Sequence, residues 1–323
     1  MSIELPYFEI NGVGDFETLS QTIPWQIGQN HINSIWAKSK GEGATVMVLD
    51  TGFSDHPDNC NEVKGPSFIT NEPDSTDFNG HGSHVAGIIG ACDNSNGIVG
   101  VAPKAKIISV KMMDKNGRTV NDTVERALRY ALDMKPDVVN VSFGSPAMLS
   151  GNVLHLVNKL WEEGIPLVCA AGNHGPGKGL YYPAGYPNVI AVGAIDIKRQ
   201  IAVFSAQGIA IDFAAPGVEI LSTYLDKQYA TLSGTSQAAP FVTGLVALIV
   251  AHNRKLGIKV NNCDYIFDVL KSAAKDVGVK GFDEAYGNGI IDPSKMLKTP
   301  IQTPANVDKR SFWQKIFGIF KKR

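Results

Sequence analysis

Short β-branched runs alternate with longer amphipathic stretches from Ala44 onward, and no other feature of this chain restricts its fold as tightly. Thr45-Val46-Met47-Val48-Leu49 opens the series, and Ala105 to Val110, Val138 to Val141, Pro166 to Ala170 and Val189 to Val192 share its character. Continuous apolar runs of this length suit strands buried on both faces. Between and after them, His84 to Cys92, Asp122 to Met134, Leu149 to Glu163 and Ser236 to Leu256 carry helical patterning. Strands parted by helices of this length need right-handed crossovers. The predicted fold class is therefore α/β, a three-layer parallel sheet with helices on both faces.

With 323 residues the chain can bury one large core plus appendages. The sequence divides into an acidic leader over 1–19, one enzyme-sized unit over 20–298, a Pro-containing linker over 299–310 and a short tail over 311–323. Lys and Arg number 30 against 31 Asp and Glu, so no global field would recruit nucleic acid. The first basic residue is Lys38, and no signal-peptide core precedes it, which reads as an unexported, cytoplasmic chain. Cys60, Cys92, Cys169 and Cys263 have no CxxC spacing, and free thiols are expected. The longest apolar run, Phe241 to Ala251, is too short to span a membrane.

Four segments carry residues suited to chemistry. Asp50 ends the first apolar strand, at the edge where open α/β sheets place their sites, although an Asp there can equally cap a turn. His81 and His84 follow in Asn79-Gly80-His81-Gly82-Ser83-His84, where the HExxH spacing of a zinc pair is missing. His81, flanked by glycines, fits a proton carrier; His84 fits a core histidine. Ser236 opens a long apolar helix in Gly234-Thr235-Ser236-Gln237-Ala238, where unpaired N–H groups favour negative charge. It reads as an accessible nucleophile or as an N-cap. Asn173 ends the run Val168-Cys169-Ala170-Ala171-Gly172, as an oxyanion donor or a turn residue. An α/β-hydrolase esterase is disfavoured, because GxSxG is absent and the acid precedes the histidine.

Taken together, Asp50, His81, Asn173 and Ser236, with Gly97-Ile98-Val99-Gly100-Val101-Ala102-Pro103, Tyr182-Pro183-Ala184 and Ala214-Ala215-Pro216-Gly217, resemble the subtilisin-like serine peptidases over roughly Gln21 to Pro293. Within that family the leader and the lack of an export signal resemble intracellular subtilisins. The resemblance implies an endopeptidase with Ser236 as nucleophile, His81 as base, Asp50 as orienting acid and Asn173 at the oxyanion. It implies that Ser142, Phe143 and Gly144 pair with substrate backbone, and that Ala170, Ala171 and Gly172 wall the pocket for the residue before the scissile bond (P1). Two departures stand out. Gln237 replaces the usual Met after the nucleophile, which implies peroxide tolerance. Tyr181 falls at the base of that pocket, which implies small or medium apolar P1 residues.

The same resemblance implies structural Ca²⁺ at Gln21, Asp58, Cys92, Asn94, Asn96 and Ile98, and a weaker cation site at Ala184, Tyr186, Val189 and Asp212. It also implies partners: protein or peptide substrates, and the chain's own leader, whose Glu4-Leu5-Pro6-Tyr7 resembles an inhibitory element. A merely packed leader is the alternative. In the tail, Phe312, Trp313, Ile316, Phe317, Ile319 and Phe320 alternate with Lys315, Lys321, Lys322 and Arg323. Docking on a membrane surface, docking on a protein, and packing back on the domain all suit that pattern, and a homodimer stays open.

Overall fold

The computed structural model describes residues 3–14, 20–260 and 262–297. The expectations for residues 15–19, the linker over 299–310 and the tail over 311–323 lie outside them.

In chain order the strands are β1 (Ile3–Glu4), β2 (Glu9–Gly14), β3 (Thr45–Asp50), β4 (Glu62–Ser67), β5 (Lys106–Lys111), β6 (Arg118–Thr119) and β7 (Val138–Val141). They continue with β8 (Leu167–Ala170), β9 (Ile190–Ile195), β10 (Phe213–Pro216), β11 (Ile220–Thr223), β12 (Tyr229–Ser233), β13 (Ala274–Lys275) and β14 (Ile290–Ile291). The helices are α1 (Trp25–Gly28), α2 (Ile32–Ile35), α3 (His81–Gly90), α4 (Asn121–Met134), α5 (Gly151–Glu162), α6 (Thr235–Lys255), α7 (Cys263–Ala273) and α8 (Pro293–Met296).

A nine-stranded sheet runs β13-β14-β10-β9-β8-β7-β3-β5-β4. All its pairs are parallel except β13 with β14. Successive side chains on a strand point to opposite faces, and β3 divides accordingly. Val46 and Val48 join one core with α3, α6 and α7, while Met47 and Leu49 join the other with α4 and α5. The α/β architecture expected from the sequence is therefore present, with a buried apolar layer on each side of the sheet.

Helix α6 runs through the first of these layers. It is longer than the apolar run read from the sequence, and over 21 residues it is apolar enough to cross a membrane by composition. Yet 94% of its most apolar window is buried inside the molecule, as befits a core helix. Pro240 lies one turn into it, and its missing N–H leaves the Ser236 carbonyl without its helical donor. The Ser142 hydroxyl takes that place, donating to the Ser236 carbonyl at 2.9 Å.

The expectation of free thiols is corrected for two of the four cysteines. Cys60 and Cys92 form a disulfide, while Cys169 and Cys263 are buried and not disulfide-bonded. The two partners stand 32 residues apart on separate loops, a closure that local spacing cannot reveal.

Candidate active site

Asp50 leaves the carboxyl end of β3 and His81 begins α3, and the two meet in a fully buried contact. His81 Nδ1 lies 2.8 Å from Asp50 Oδ1, which also accepts the Thr51 N–H at 2.8 Å. A proton on Nδ1 leaves Nε2 as the lone-pair nitrogen. The start of α3 is held from outside it by Asp77, whose carboxylate accepts from the N–H groups of Asn79, Gly80 and Ser83 and from the Ser83 hydroxyl. Thr51 adds a further tie, accepting the Gly82 N–H at 2.8 Å.

Beneath this corner lies Lys111, fully buried at the end of β5 and in register with Asp50. Its ammonium donates to the carbonyls of Thr51 (2.8 Å) and Thr76 (3.2 Å) and pairs with Glu72 at 2.9 Å. A buried cation is tolerable only with such partners. Neither Asp77 nor Lys111 was singled out from the sequence. Asp77 had a local signal, an acid four residues ahead of a helix start; Lys111 had none, since its site is assembled by neighbouring strands.

On the other side of the cleft, Thr235 fixes the Asn173 amide. Its N–H and hydroxyl both donate to Asn173 Oδ1, at 2.9 and 2.7 Å. Asn173 Nδ2 is thereby turned toward the leader and donates to the Tyr7 carbonyl at 2.5 Å. The Phe8 ring lies 5.1 Å from the His81 ring. Residues 7 and 8 thus lie across the groups expected to do the chemistry.

The expected relay is only partly assembled. Asp50 and His81 are joined, but the Ser236 hydroxyl donates to the Ser142 carbonyl at 2.9 Å, and His81 Nε2 is buried without a hydrogen-bond partner. His84 is a core histidine, as expected. Its Nε2 lies 3.1 Å from the Ile220 carbonyl and 3.0 Å from that of Ala230, and burial depresses its pKa to about 3.

The leader crosses this site as added strands. β1 pairs antiparallel with β6, Glu4 bridges Gly144, and β2 pairs antiparallel with β12, forming a three-stranded sheet with β11. Ile3 and Pro6 are buried. Of the expected wall residues, Phe143, Ala170 and Ala171 are buried, and Gly172 donates to the Thr235 hydroxyl at 3.0 Å. Tyr181 stacks on His174 with ring centroids 4.4 Å apart. A methyl group added at Gly144 would come within 2.8 Å of Tyr181 Cβ, and one at Gly172 within 3.1 Å of its ring, so the tyrosine occupies the space between the two walls.

The expected calcium residues gather at one point. Gln21 Nε2 lies 2.6 Å from the Cys92 carbonyl, 2.9 Å from that of Ile98, 3.2 Å from that of Asn96 and 3.5 Å from Asn94 Oδ1. An amide with two hydrogens surrounded by four acceptors marks a cradle rich in oxygen, the donor set a hard cation takes. Asp58 braces the loop by accepting from Asn94 Nδ2 and from the Ile98 N–H. Among the described residues no group of three or more His, Cys, Asp or Glu side chains gathers to hold a metal, so any cation here would depend on carbonyl and amide oxygens. At the weaker candidate, Ala184, Tyr186, Val189 and Asp212 are all buried, and Asp212 accepts the Ala191 N–H at 2.8 Å.

An acid, an imidazole and a helix-start serine along one edge of a parallel sheet are the kinds of group that serine hydrolases use. Residues 41–289 match the subtilase family of S8 peptidases. The chain is 41% identical over 278 residues to a thermostable alkaline protease of Halalkalibacterium halodurans, covering 85% of this chain and 73% of the relative. It is 38% identical over 275 residues to subtilisin Savinase of Lederbergia lenta, covering 84% and 98%. It is 37% identical over 270 residues to the minor extracellular protease Epr of Bacillus subtilis, covering 83% and 40%. The chain belongs to the subtilase family and is a serine endopeptidase.

These relatives overturn the expectation of a cytoplasmic enzyme. One is named as extracellular, the others as alkaline protease and subtilisin. The Cys60–Cys92 disulfide points the same way, since such bonds persist in oxidising compartments. Reading location from the residues ahead of Lys38 failed because first residues describe a sequence, not its route.

Proposed function

We propose that this endopeptidase cleaves protein and peptide substrates through Asp50, His81 and Ser236, and that residues 1–19 hold the 20–298 unit inactive. The Ser236 oxygen attacks the scissile carbonyl while its proton passes to His81 Nε2. Asp50 keeps Nδ1 protonated and stabilises the imidazolium that forms. His81 then returns the proton to the leaving amine, and water reverses the sequence to release the acyl group. Asn173 Nδ2 and the Ser236 N–H bind the oxyanion in the transition state. Ser142, Phe143 and Gly144 pair with the substrate strand, and Ala170, Ala171, Gly172 and Tyr181 bound the P1 pocket.

One observation carries the reading: Asn173 Nδ2, oriented by Thr235, donates to a peptide carbonyl, that of Tyr7, while the Asp50–His81 pair stands ready on the opposite wall. The leader supplies that carbonyl, so a substrate cannot reach it. Gln21, Asp58, Cys92, Asn94, Asn96 and Ile98 would hold Ca²⁺, which would supply loop rigidity and no step of the reaction.

A fluorophosphonate probe tests the chemistry, and labelling that survives Ser236→Ala would refute it. Deleting residues 1–18 tests the leader. Activity should rise, and unchanged kinetics would reject inhibition.

A further inference from the structure

We propose that Lys111 is a positioning residue for the reaction: its buried ammonium ties the segment that carries Asp50 to the segment that holds His81, and its charge favours the Asp50 carboxylate. The proposal rests on the reading of Asp50, His81 and Ser236 as the reacting groups.

Val46, Val48 and Asp50 alternate onto one face of β3, and their partners on β5, Ile107, Ser109 and Lys111, line the same face. A fully buried lysine is costly where an apolar side chain would suit the core. Its ammonium reaches two carbonyls. One is that of Thr51, at 2.8 Å, whose N–H donates to Asp50 Oδ1 and whose hydroxyl accepts the Gly82 N–H at the start of α3. The other is that of Thr76, at 3.2 Å, the residue before Asp77, whose carboxylate holds the first turn of α3. The two segments also meet where the Phe53 N–H donates to the Ser75 carbonyl at 2.8 Å and the Asp77 N–H to the Phe53 carbonyl at 2.7 Å. One cation thus clasps both arms of the Asp50–His81 contact, and Glu72 pairs with it at 2.9 Å.

Asp50 Oδ2 is buried with no hydrogen-bond partner among the described residues, so the carboxylate depends on charge nearby. Glu62 on β4, raised by burial to about 8, and His84 on α3, lowered by burial to about 3, are largely uncharged at pH 7. Burial also raises Tyr224, and the Asp77 carboxylate is engaged by the donors of Asn79, Gly80 and Ser83. Lys111 and Glu72 remain to set the local field. The lysine opposes a second positive charge on the neighbouring imidazole, and the glutamate softens that opposition.

Two substitutions separate this role from packing. Lys111→Met keeps the length of the side chain and removes its charge and donors; Glu72→Gln keeps the cation and removes its counter-charge. In the full chain, the rate at which a fluorophosphonate labels Ser236 is followed across about pH 5 to 9, the range in which a histidine titrates, with unfolding midpoints confirming the fold. Lys111→Met should lower the plateau rate by about tenfold or more and move the acid limb to higher pH by about half a unit or more. Glu72→Gln should cost less rate and move that limb to lower pH. A packing role would shift neither limb, or both the same way. An unmoved limb in Lys111→Met, or two limbs shifted in one direction, would overturn the proposal. Should Lys111→Met fail to fold, Glu72→Gln decides alone, and a limb that stays or rises overturns it. Labelling that survives Ser236→Ala would instead remove the underlying reading, and the proposal with it.

Discussion

Thr235 donates twice to Asn173 Oδ1, and the donor end of that amide faces the Tyr7 carbonyl as a result. Asn173→Ala is expected to lower kcat by on the order of 10²- to 10³-fold, measured on a peptide substrate after removal of the leader. Thr235→Val keeps the shape but loses one of the two ties, and about a tenfold loss in kcat at little-changed KM is expected. A loss confined to KM would assign both residues to ground-state binding.

Glu62 is buried on β4, accepting from the Ser109 hydroxyl and Asn59 Nδ2, and burial raises its pKa to about 8. The folded state therefore holds this proton more tightly than the unfolded chain. The associated stability is fully present below the unfolded value of 4.5 and is lost as pH rises through about 8. Glu62→Gln can accept from Asn59 and donate to Ser109 without ionising. Its stability relative to wild type is expected to improve from pH 5 to 8 and then level off, by on the order of a few kcal/mol. Unfolding midpoints of the two proteins across that range check it, and parallel curves would contradict it.

At the Gln21 cradle, Ca²⁺ should raise the unfolding midpoint and a chelator should lower it. Gln21→Ala and Asp58→Ala should each blunt that response, in calorimetry and in direct titration. Cys60–Cys92 ties the Asp58 segment to the loop that begins at Cys92, where the Cys92 N–H also donates to the Asp58 carbonyl. A Cys60→Ser/Cys92→Ser variant is expected to lose about 2–4 kcal/mol of stability and to bind the cation more weakly. Unaltered affinity would separate the disulfide from the cradle.

The Tyr181 ring lies between the Gly144 and Gly172 walls. A peptide-library profile should favour small or medium apolar P1 residues, and Tyr181→Gly should shift it toward Phe and Tyr by about tenfold or more. An aromatic preference in the wild-type enzyme would contradict this account of the pocket.

Much of the frame was readable because its signals are local. The β3, β5 and β7 runs and helices α4 to α6 appear within a few residues of where apolar periodicity puts them, and Asp50 and His81 meet at the sheet edge chosen from strand polarity. Contacts made by the folded chain alone were not readable. The β2 strand is a polar and glycine-containing stretch, and only β12 beside it makes it a strand. Lys111 reads as a surface cation until β3 and β4 flank it on either side of β5. The Ser236 hydroxyl donates to the Ser142 carbonyl across a separation of 94 residues, a contact no one-dimensional pattern encodes.

The pairing of β2 with β12 reaches beyond the leader itself. Ser233, the last residue of β12, stands three positions ahead of Ser236, so under the proposed mechanism the ladder that β2 occupies leads straight to the point of attack. A slot that grips its guest by main-chain pairing on both flanks of the cut admits polypeptide only in extended form. Compact domains, whose strand edges are already satisfied, offer it little until they open locally, so such an enzyme samples the fraying of its targets as much as their sequence.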